Sequence, residues 1–247
     1  MEIIAHRGAS AYAPENTLAA INLAWQQNVD GVEVDVHLTQ DAQLVVIHDA
    51  TLERRSGVDQ RIDELTFDEL QTFDVGSWKG SKWATERVPA LTSVVSTIPR
   101  GKRLLVEVKC DRGCVDAFAP ALSLIEDRLE AITIIGFDLA IMQECKSRYP
   151  DVGVYLVAEQ KHDVSTNTSL NTPQSDETHW VPVVESLIEQ AVGAGLDGLD
   201  LSNTLAVDRR AVDLMHEAGL NCCIWTVNSV EDGHRLRDSG VDSITTD

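Results

Sequence analysis

Glu33 and Asp35 stand two residues apart in Gly31-Val-Glu-Val-Asp-Val36, interleaved with Val32 and Val34. Alternate residues of a strand share a face, so both carboxylates point one way and the valines the other. Two carboxylates in an apolar strand repel each other and lose hydration. A divalent cation relieves both costs. An all-oxygen donor set favours a hard ion, Mg²⁺ or Ca²⁺, over zinc. Glu107, in Val106-Glu-Val-Lys109, lies at a similar depth on another predicted strand and offers a third oxygen. His6 and His48 end two further strands, each beside a charged neighbour, Arg7 and Asp49. Two imidazoles flanking a cation suit general acid–base work near neutral pH. Arg7 and Lys109 add local positive charge, and the planar fork of Arg7 fits two phosphate oxygens. The chemistry is that of metal-assisted attack on a phosphate or phosphodiester. Without a metal, Arg7 and Lys109 would instead form plain salt bridges with the three acids.

These side chains need strands that end together. Short β-branched runs near 2–5, 31–37, 103–109, 131–136, 152–157, 196–201, 221–227 and 241–246 predict eight strands. Helical spacing lies between most of them, as in Asn16–Trp25, where Leu18, Ile21 and Trp25 recur three and four apart. Further helices are predicted near 92–98, 115–128, 139–147, 181–194, 208–218 and 230–238. Gly195, Gly219 and Gly240 follow helices, where a left-handed cap is wanted. Eight alternations over residues 1–247 predict one (β/α)8 TIM barrel, with a doubly wound open sheet as the alternative. Such a barrel carries its chemistry at the C-terminal ends of its strands.

Two segments break the rhythm. In residues 31–49, only Thr39-Gln-Asp-Ala42 separates two β-rich runs, too few for a parallel crossover. An antiparallel hairpin centred between Gln40 and Asp41 follows, which sets His48 opposite residue 33 or so. Residues 50–89 then form a small insertion after the second strand. Its Thr66 and Glu69 read as a capping box, and Phe67, Trp78 and Trp83 are expected to pack it. The second segment, Glu159–Trp180, is polar and reads as a long surface loop or a lid.

Composition removes other classes. Forty acidic against twenty basic residues leave a net charge of −20, which opposes nucleic-acid binding and docking on anionic lipid. No apolar run approaches the roughly 18 residues of a membrane span, and Met1–Ser10 does not read as a secretory signal. Five cysteines, an odd number with Cys222 and Cys223 adjacent, read as reduced thiols, and the expected location is cytoplasmic. His37, His162, His179, His216 and His234 are expected on turns, loops or helix surfaces in structural roles.

His6-Arg-Gly-Ala-Ser-Ala-Tyr-Ala-Pro-Glu-Asn-Thr17, then residues 31–49, Val106-Glu-Val-Lys109 and Ile224-Trp-Thr-Val-Asn228 occur in order over nearly the whole chain. Together they resemble the glycerophosphodiester phosphodiesterase family. The resemblance implies a (β/α)8 barrel with a small insertion after the second strand. It implies metal-dependent hydrolysis of small-molecule glycerophosphodiesters, such as glycerophosphocholine or glycerophosphoethanolamine, to glycerol 3-phosphate and an alcohol. Residue by residue, His6 and His48 match the acid–base pair, and Glu33, Asp35 and Glu107 the ligands of Mg²⁺ or Ca²⁺. Arg7 and Lys109 match the phosphate contacts, with Glu15, Asn16 and Trp225 beside the substrate. The nucleophile would be water or the glycerol 2-hydroxyl, with His6 as base and His48 as acid. Alternatives are a phospholipase-type phosphodiesterase on membrane lipid, a non-enzymatic phosphodiester-binding protein and a sugar-phosphate isomerase on the same barrel.

Overall fold

The computed structural model describes residues 1–159, 181–205 and 207–247. The β-branched runs form β1 (Glu2–His6), β2 (Gly31–Leu38), β3 (Leu44–Val46), β4 (Arg103–Val108), β5 (Ile132–Gly136), β6 (Gly153–Ala158), β7 (Gly198–Ser202), β8 (Asn221–Trp225) and β9 (Ser243–Thr246). Eight of them run parallel in the order β1-β9-β8-β7-β6-β5-β4-β2, and β1 pairs with β2 to close the ring. That closure excludes the open sheet. β3 lies outside the ring, antiparallel to β2.

Helices α1 (Leu18–Gln26), α4 (Leu91–Val95), α5 (Ala119–Ser123), α6 (Leu139–Arg148), α7 (Val181–Gly193), α8 (Arg209–Glu217) and α9 (Val230–Ser239) connect the barrel strands, while α2 (Glu53–Ser56) and α3 (Phe67–Leu70) belong to the insertion. The main apolar core lies between helices and barrel: Val32, Val34 and Val36 of β2 belong to it together with Ile21 and Ala24 of α1. Gly240 caps α9 in the left-handed conformation, as its position predicts. The helix expected over 115–128 is broken into Asp116–Phe118, α5 and Glu126–Ala131. Pro120 opens α5, and the Ser123 hydroxyl donates to the Pro120 carbonyl, competing with continued helix. The polar stretch expected at Glu159–Trp180 falls, beyond Glu159, outside the described residues, as do His162 and His179.

Strand alternation sends a second set of residues into the bore. Ile4, Leu105, Tyr155 and Cys223, from β1, β4, β6 and β8, form an apolar cluster there. Below them, Arg103 closes the bottom, its guanidinium 2.9 Å from Glu2 and 2.8 Å from Thr133 Oγ1. Above them, one small cavity is lined by one residue from each barrel strand. Glu33, Ile135, Asp200 and Thr245 come from β2, β5, β7 and β9; His6, Glu107, Val157 and Trp225 come from β1, β4, β6 and β8. Two rings of four from alternate strands are the usual filling of such a barrel. Here, unusually for a core, five of the eight side chains are charged, titratable or hydroxylated.

The insertion has an apolar core of its own, built from Val45, Ile47, Leu52, Ile62, Leu65, Leu70, Val75 and Val88, with Phe67 and Phe73 against it. The capping box at Thr66 and Glu69 forms and starts α3. Trp78 does not enter that core. Its ring lies under Arg55, 4.0 Å from the guanidinium carbon, and its Nε1 donates to the Val75 carbonyl.

Candidate active site

The first loop folds back because Arg7 and Gly8 both take positive φ, 59° and 78°. At Gly8 a side chain is excluded: a Cβ there would lie 2.7 Å from the Ala20 carbonyl carbon. The loop thereby lays Pro14–Thr17 against the strand ends. Thr17 caps α1, and Asn16, also at positive φ, clamps β2. Its Nδ2 donates to Asp35 Oδ2 at 2.8 Å and its Oδ1 accepts from the Asp35 N–H at 3.2 Å.

β2 and β4 pair with Asp35 opposite Glu107. Glu33, Asp35 and Glu107 each offer a carboxylate oxygen, all within 4.8 Å of one another. Glu33 and Asp35 are buried. Arg7 Nε lies 3.2 Å from Asp35, and Lys109 Nζ 2.5 Å from Glu107 and 3.4 Å from Asp35. The salt bridges that the sequence allows as an alternative therefore form, but three acids share two cations. Glu33 Oε1 and Asp35 Oδ1 remain buried without a hydrogen-bond partner. Burial, then Asp35 and Glu107, raise Glu33 well above the ordinary carboxyl range. Burial also raises Glu107 against the pull of Lys109. Burial works against ionised Asp35 too, yet Arg7 and Lys109 outweigh it and hold its pKa low. A cage with excess negative charge and spare buried oxygens fits a hard divalent cation.

His6 stands beside this cage, its Nε2 4.0 Å from Glu33 Oε2 and its Nδ1 2.7 Å from Asp247 Oδ1. Asp247 is itself fixed by Asn228 Nδ2 at 2.7 Å, and the hydrogen bond from His6 comes first in bringing its pKa down to about 2. His48 arrives from the other side. The hairpin centre falls on Asp41 rather than between Gln40 and Asp41, since Val36 pairs with Val46 and Leu38 with Leu44. Ala42 at positive φ and a Thr39–Gln43 hydrogen bond set that turn. The ladder then stops, and His48 is placed by the Ile47 N–H bonded to the Asp35 carbonyl and by His37 Nε2, 3.0 Å from the His48 carbonyl. His37 lies on β2, within the strand predicted over 31–37, and its ring holds the His48 backbone. His48 Nδ1 lies 2.8 Å from Asp49 Oδ1, and Asp49 is held to about 2, against burial, chiefly by Arg54.

Glu15 does not reach the cage. It gathers Arg7, Arg54 and Arg55, at 3.1, 2.9 and 2.5 Å. Trp225 lines the bore with His6 and Glu107, stands edge-on to Phe137 with ring centres 6.0 Å apart, and donates to the Asp200 carbonyl. Sequence reasoning missed Asp247, Arg54, Arg55 and Asp200, and it quoted Asn228 within Ile224–Asn228 without a role for it. The adjacent arginines after His48-Asp49, unusual in so acidic a chain, were the available signal; nothing distinguished Asp200. All five cysteines are free thiols. Among the described residues no helix is long and apolar enough to cross a membrane.

Comparison with known proteins agrees with this fold. The chain is 31% identical over 249 residues to YhdW of Bacillus subtilis (strain 168), covering all of this chain and 94% of that one. It is 30% identical over 256 residues to the glycerophosphodiester phosphodiesterase of Caldanaerobacter subterraneus, covering 99% and 93%. An Oleispira antarctica phosphodiesterase, solved in complex with the product sn-glycerol-3-phosphate, shares the fold with a TM-score of 0.81 at 24% identity, covering 100% and 92%. The family model for glycerophosphoryl diester phosphodiesterases matches residues 6–247, and the chain belongs to that family.

Proposed function

We propose that this phosphodiesterase hydrolyses soluble glycerophosphodiesters to glycerol 3-phosphate and an alcohol, with Glu33, Asp35 and Glu107 as ligands of Mg²⁺ or Ca²⁺ and His6 and His48 as the acid–base pair. The observation that carries the reading is the convergence of three carboxylates within 4.8 Å at the strand ends, two of them with unpartnered buried oxygens. A bound divalent cation would polarise the phosphoryl oxygens and offset charge in the transition state.

The chain's own residues do the rest. Arg7 and Lys109, the cations that already face the cage, orient the phosphodiester and share its charge. His6, its Nδ1 held by Asp247, presents Nε2 beside Glu33 and takes the proton of the attacking hydroxyl. His48, with Nδ1 on Asp49, protonates the departing alcohol oxygen. The attacking hydroxyl is water or the glycerol 2-hydroxyl; the latter gives a cyclic phosphate that water then opens. A neighbouring hydroxyl gains a large effective concentration, which favours glycerol diesters over simple alkyl ones. Trp225 and Phe137 offer an apolar wall to the carbon skeleton.

The test is phosphorus NMR on a panel of glycerophosphodiesters and on phospholipid vesicles, after chelation and after adding Mg²⁺ or Ca²⁺. Ion-dependent conversion of the soluble diesters is expected, with loss on the order of 10²-fold or more in His6→Ala and in His48→Ala. Full activity after exhaustive chelation, near-normal rates in either variant, or preference for vesicles would overturn it.

A further inference from the structure

Below the two histidines lies a ring of the bore in which Glu33 is joined by Asp200 and Thr245, two residues that no step above uses. Glu33, Asp200 and Thr245 are its polar members, and they are 3%, 2% and 2% exposed. Each carries a buried oxygen without a hydrogen-bond partner: Glu33 Oε1, Asp200 Oδ1 and Thr245 Oγ1. Leaving such an atom unpaired costs about 1–3 kcal/mol, so three around one point need an explanation. All three residues line the same cavity of about 20 Å³. Roughly 10–15 Å³ of such volume holds one water, given two to four polar partners.

The placement is specific. Three strands separate β2 from β7 in either direction round the ring, so Asp200 faces Glu33 across the bore. Thr245 stands between them on β9. Glu33 Oε2 already accepts from the Arg7 N–H at 3.0 Å, so Oε1, whose two lone pairs can face both a cation and a water, is the end that turns to the bore. One water closes the count: it donates to Glu33 Oε1 and Asp200 Oδ1 and accepts from the Thr245 hydroxyl.

We propose that Asp200 and Thr245 hold a single ordered water in this cavity, and that through it Asp200 acts as a positioning residue that fixes the Glu33 carboxylate from beneath. The role rests on the reading of Glu33, Asp35 and Glu107 as cation ligands. Groups that orient a metal ligand typically govern affinity by 10–100-fold. An amide both donates and accepts, so Asp200→Asn keeps the water; Asp200→Leu fills the cavity and expels it.

The experiment is calorimetric titration of chelator-stripped full-length protein with CaCl₂, for wild type, Asp200→Asn, Asp200→Leu and Thr245→Val, beside a high-resolution crystal structure of the wild type. The expected structure has one water within hydrogen-bond distance of the three oxygens. The expected isotherms match for wild type and Asp200→Asn, and weaken about 10–100-fold in Asp200→Leu and severalfold in Thr245→Val. Should Asp200→Leu fail to fold, the Asn and Val variants carry the comparison. A cavity without density, or binding in both Asp200→Leu and Thr245→Val within twofold of wild type, overturns the water link alone. A wild type that binds no divalent ion overturns the cation site and this role together.

Discussion

Gly8 and Gly219 have the same φ, 78°, in different surroundings, and replacing each by alanine separates two costs. A Cβ at Gly219 meets nothing within 4 Å, whereas one at Gly8 lies 2.7 Å from the Ala20 carbonyl carbon and 2.8 Å from the Ile21 nitrogen. Gly219→Ala carries only the left-handed backbone penalty, about 1–2 kcal/mol. Gly8→Ala carries that and an overlap with the backbone of α1. Carbon atoms in contact sit about 3.5–4.0 Å apart, so the loop must retreat by about 1 Å. Forcing such an overlap costs about 1–3 kcal/mol, which brings Gly8→Ala to about 2–5 kcal/mol. The retreat also moves chemistry. The Arg7 N–H bonds Glu33 at 3.0 Å, and the Arg7 carbonyl accepts from the Asn16 N–H at 3.0 Å. Misplacement of about 1 Å near reacting groups can cost about 10²-fold. Urea unfolding followed by far-UV circular dichroism, with phosphodiester turnover on the same samples, checks both. Equal destabilisation of the two variants, or normal turnover in a folded Gly8→Ala protein, refutes the reasoning.

Asp247→Asn should lower kcat by about 10- to 10²-fold with little change in KM, because it loosens the ring of His6 and not the phosphate contacts; a change confined to KM would contradict this. Burial, then Glu107, raises Asp200 to about 8, against about 3.9 in an unfolded chain. The folded state therefore binds the extra proton between those values, and wild-type stability falls as pH rises from about 4 to about 8. Asp200→Asn cannot ionise, so in ion-free buffer its unfolding free energy from urea titration should exceed that of wild type at pH 8.5, by at most about 5 kcal/mol, with the gap closing near pH 4.5. A gap that does not vary with pH would contradict the assignment. Glu15→Gln weakens the link to Arg7, Arg54 and Arg55 and should speed amide hydrogen exchange across residues 50–89 more than in the barrel strands; uniform exchange would contradict it.

Strands were legible because their pattern is doubled. Val32, Val34 and Val36 announce a face under helices while Glu33 and Asp35 announce the bore, so type and orientation follow from the same five residues. The cluster of Glu33, Asp35 and Glu107 was legible for the same reason. Distances along the chain hid the rest. Asp247 orients His6 from 241 positions away, and the two meet because β1 and β9 are neighbours in a closed ring. Asp200 looks like any acid in Gly198-Leu-Asp-Leu until Glu33 is seen opposite. The 115–128 helix was overextended because apolar periodicity continues past Ser123 while the α-helical backbone does not, Ile125 taking φ −136° and ψ 33°. The hairpin centre was displaced by half a residue, since the turn is set by Ala42 and by the Thr39–Gln43 bond rather than by the polar gap alone.

His48, Asp49, Arg54 and Arg55 ride on a part of the chain with its own apolar nucleus, while His6 and the carboxylates belong to the barrel. On the roles proposed above, the two proton-handling groups thus stand on parts of the chain with separate apolar nuclei, joined through Glu15, the end of β3 and contacts such as Lys79 with the Ser10 carbonyl. If those roles hold, loosening the smaller part would leave a protein that still captures a cation and a phosphate yet is slow to release the alcohol. Turnover would then fade at temperatures where the barrel's spectrum is unchanged.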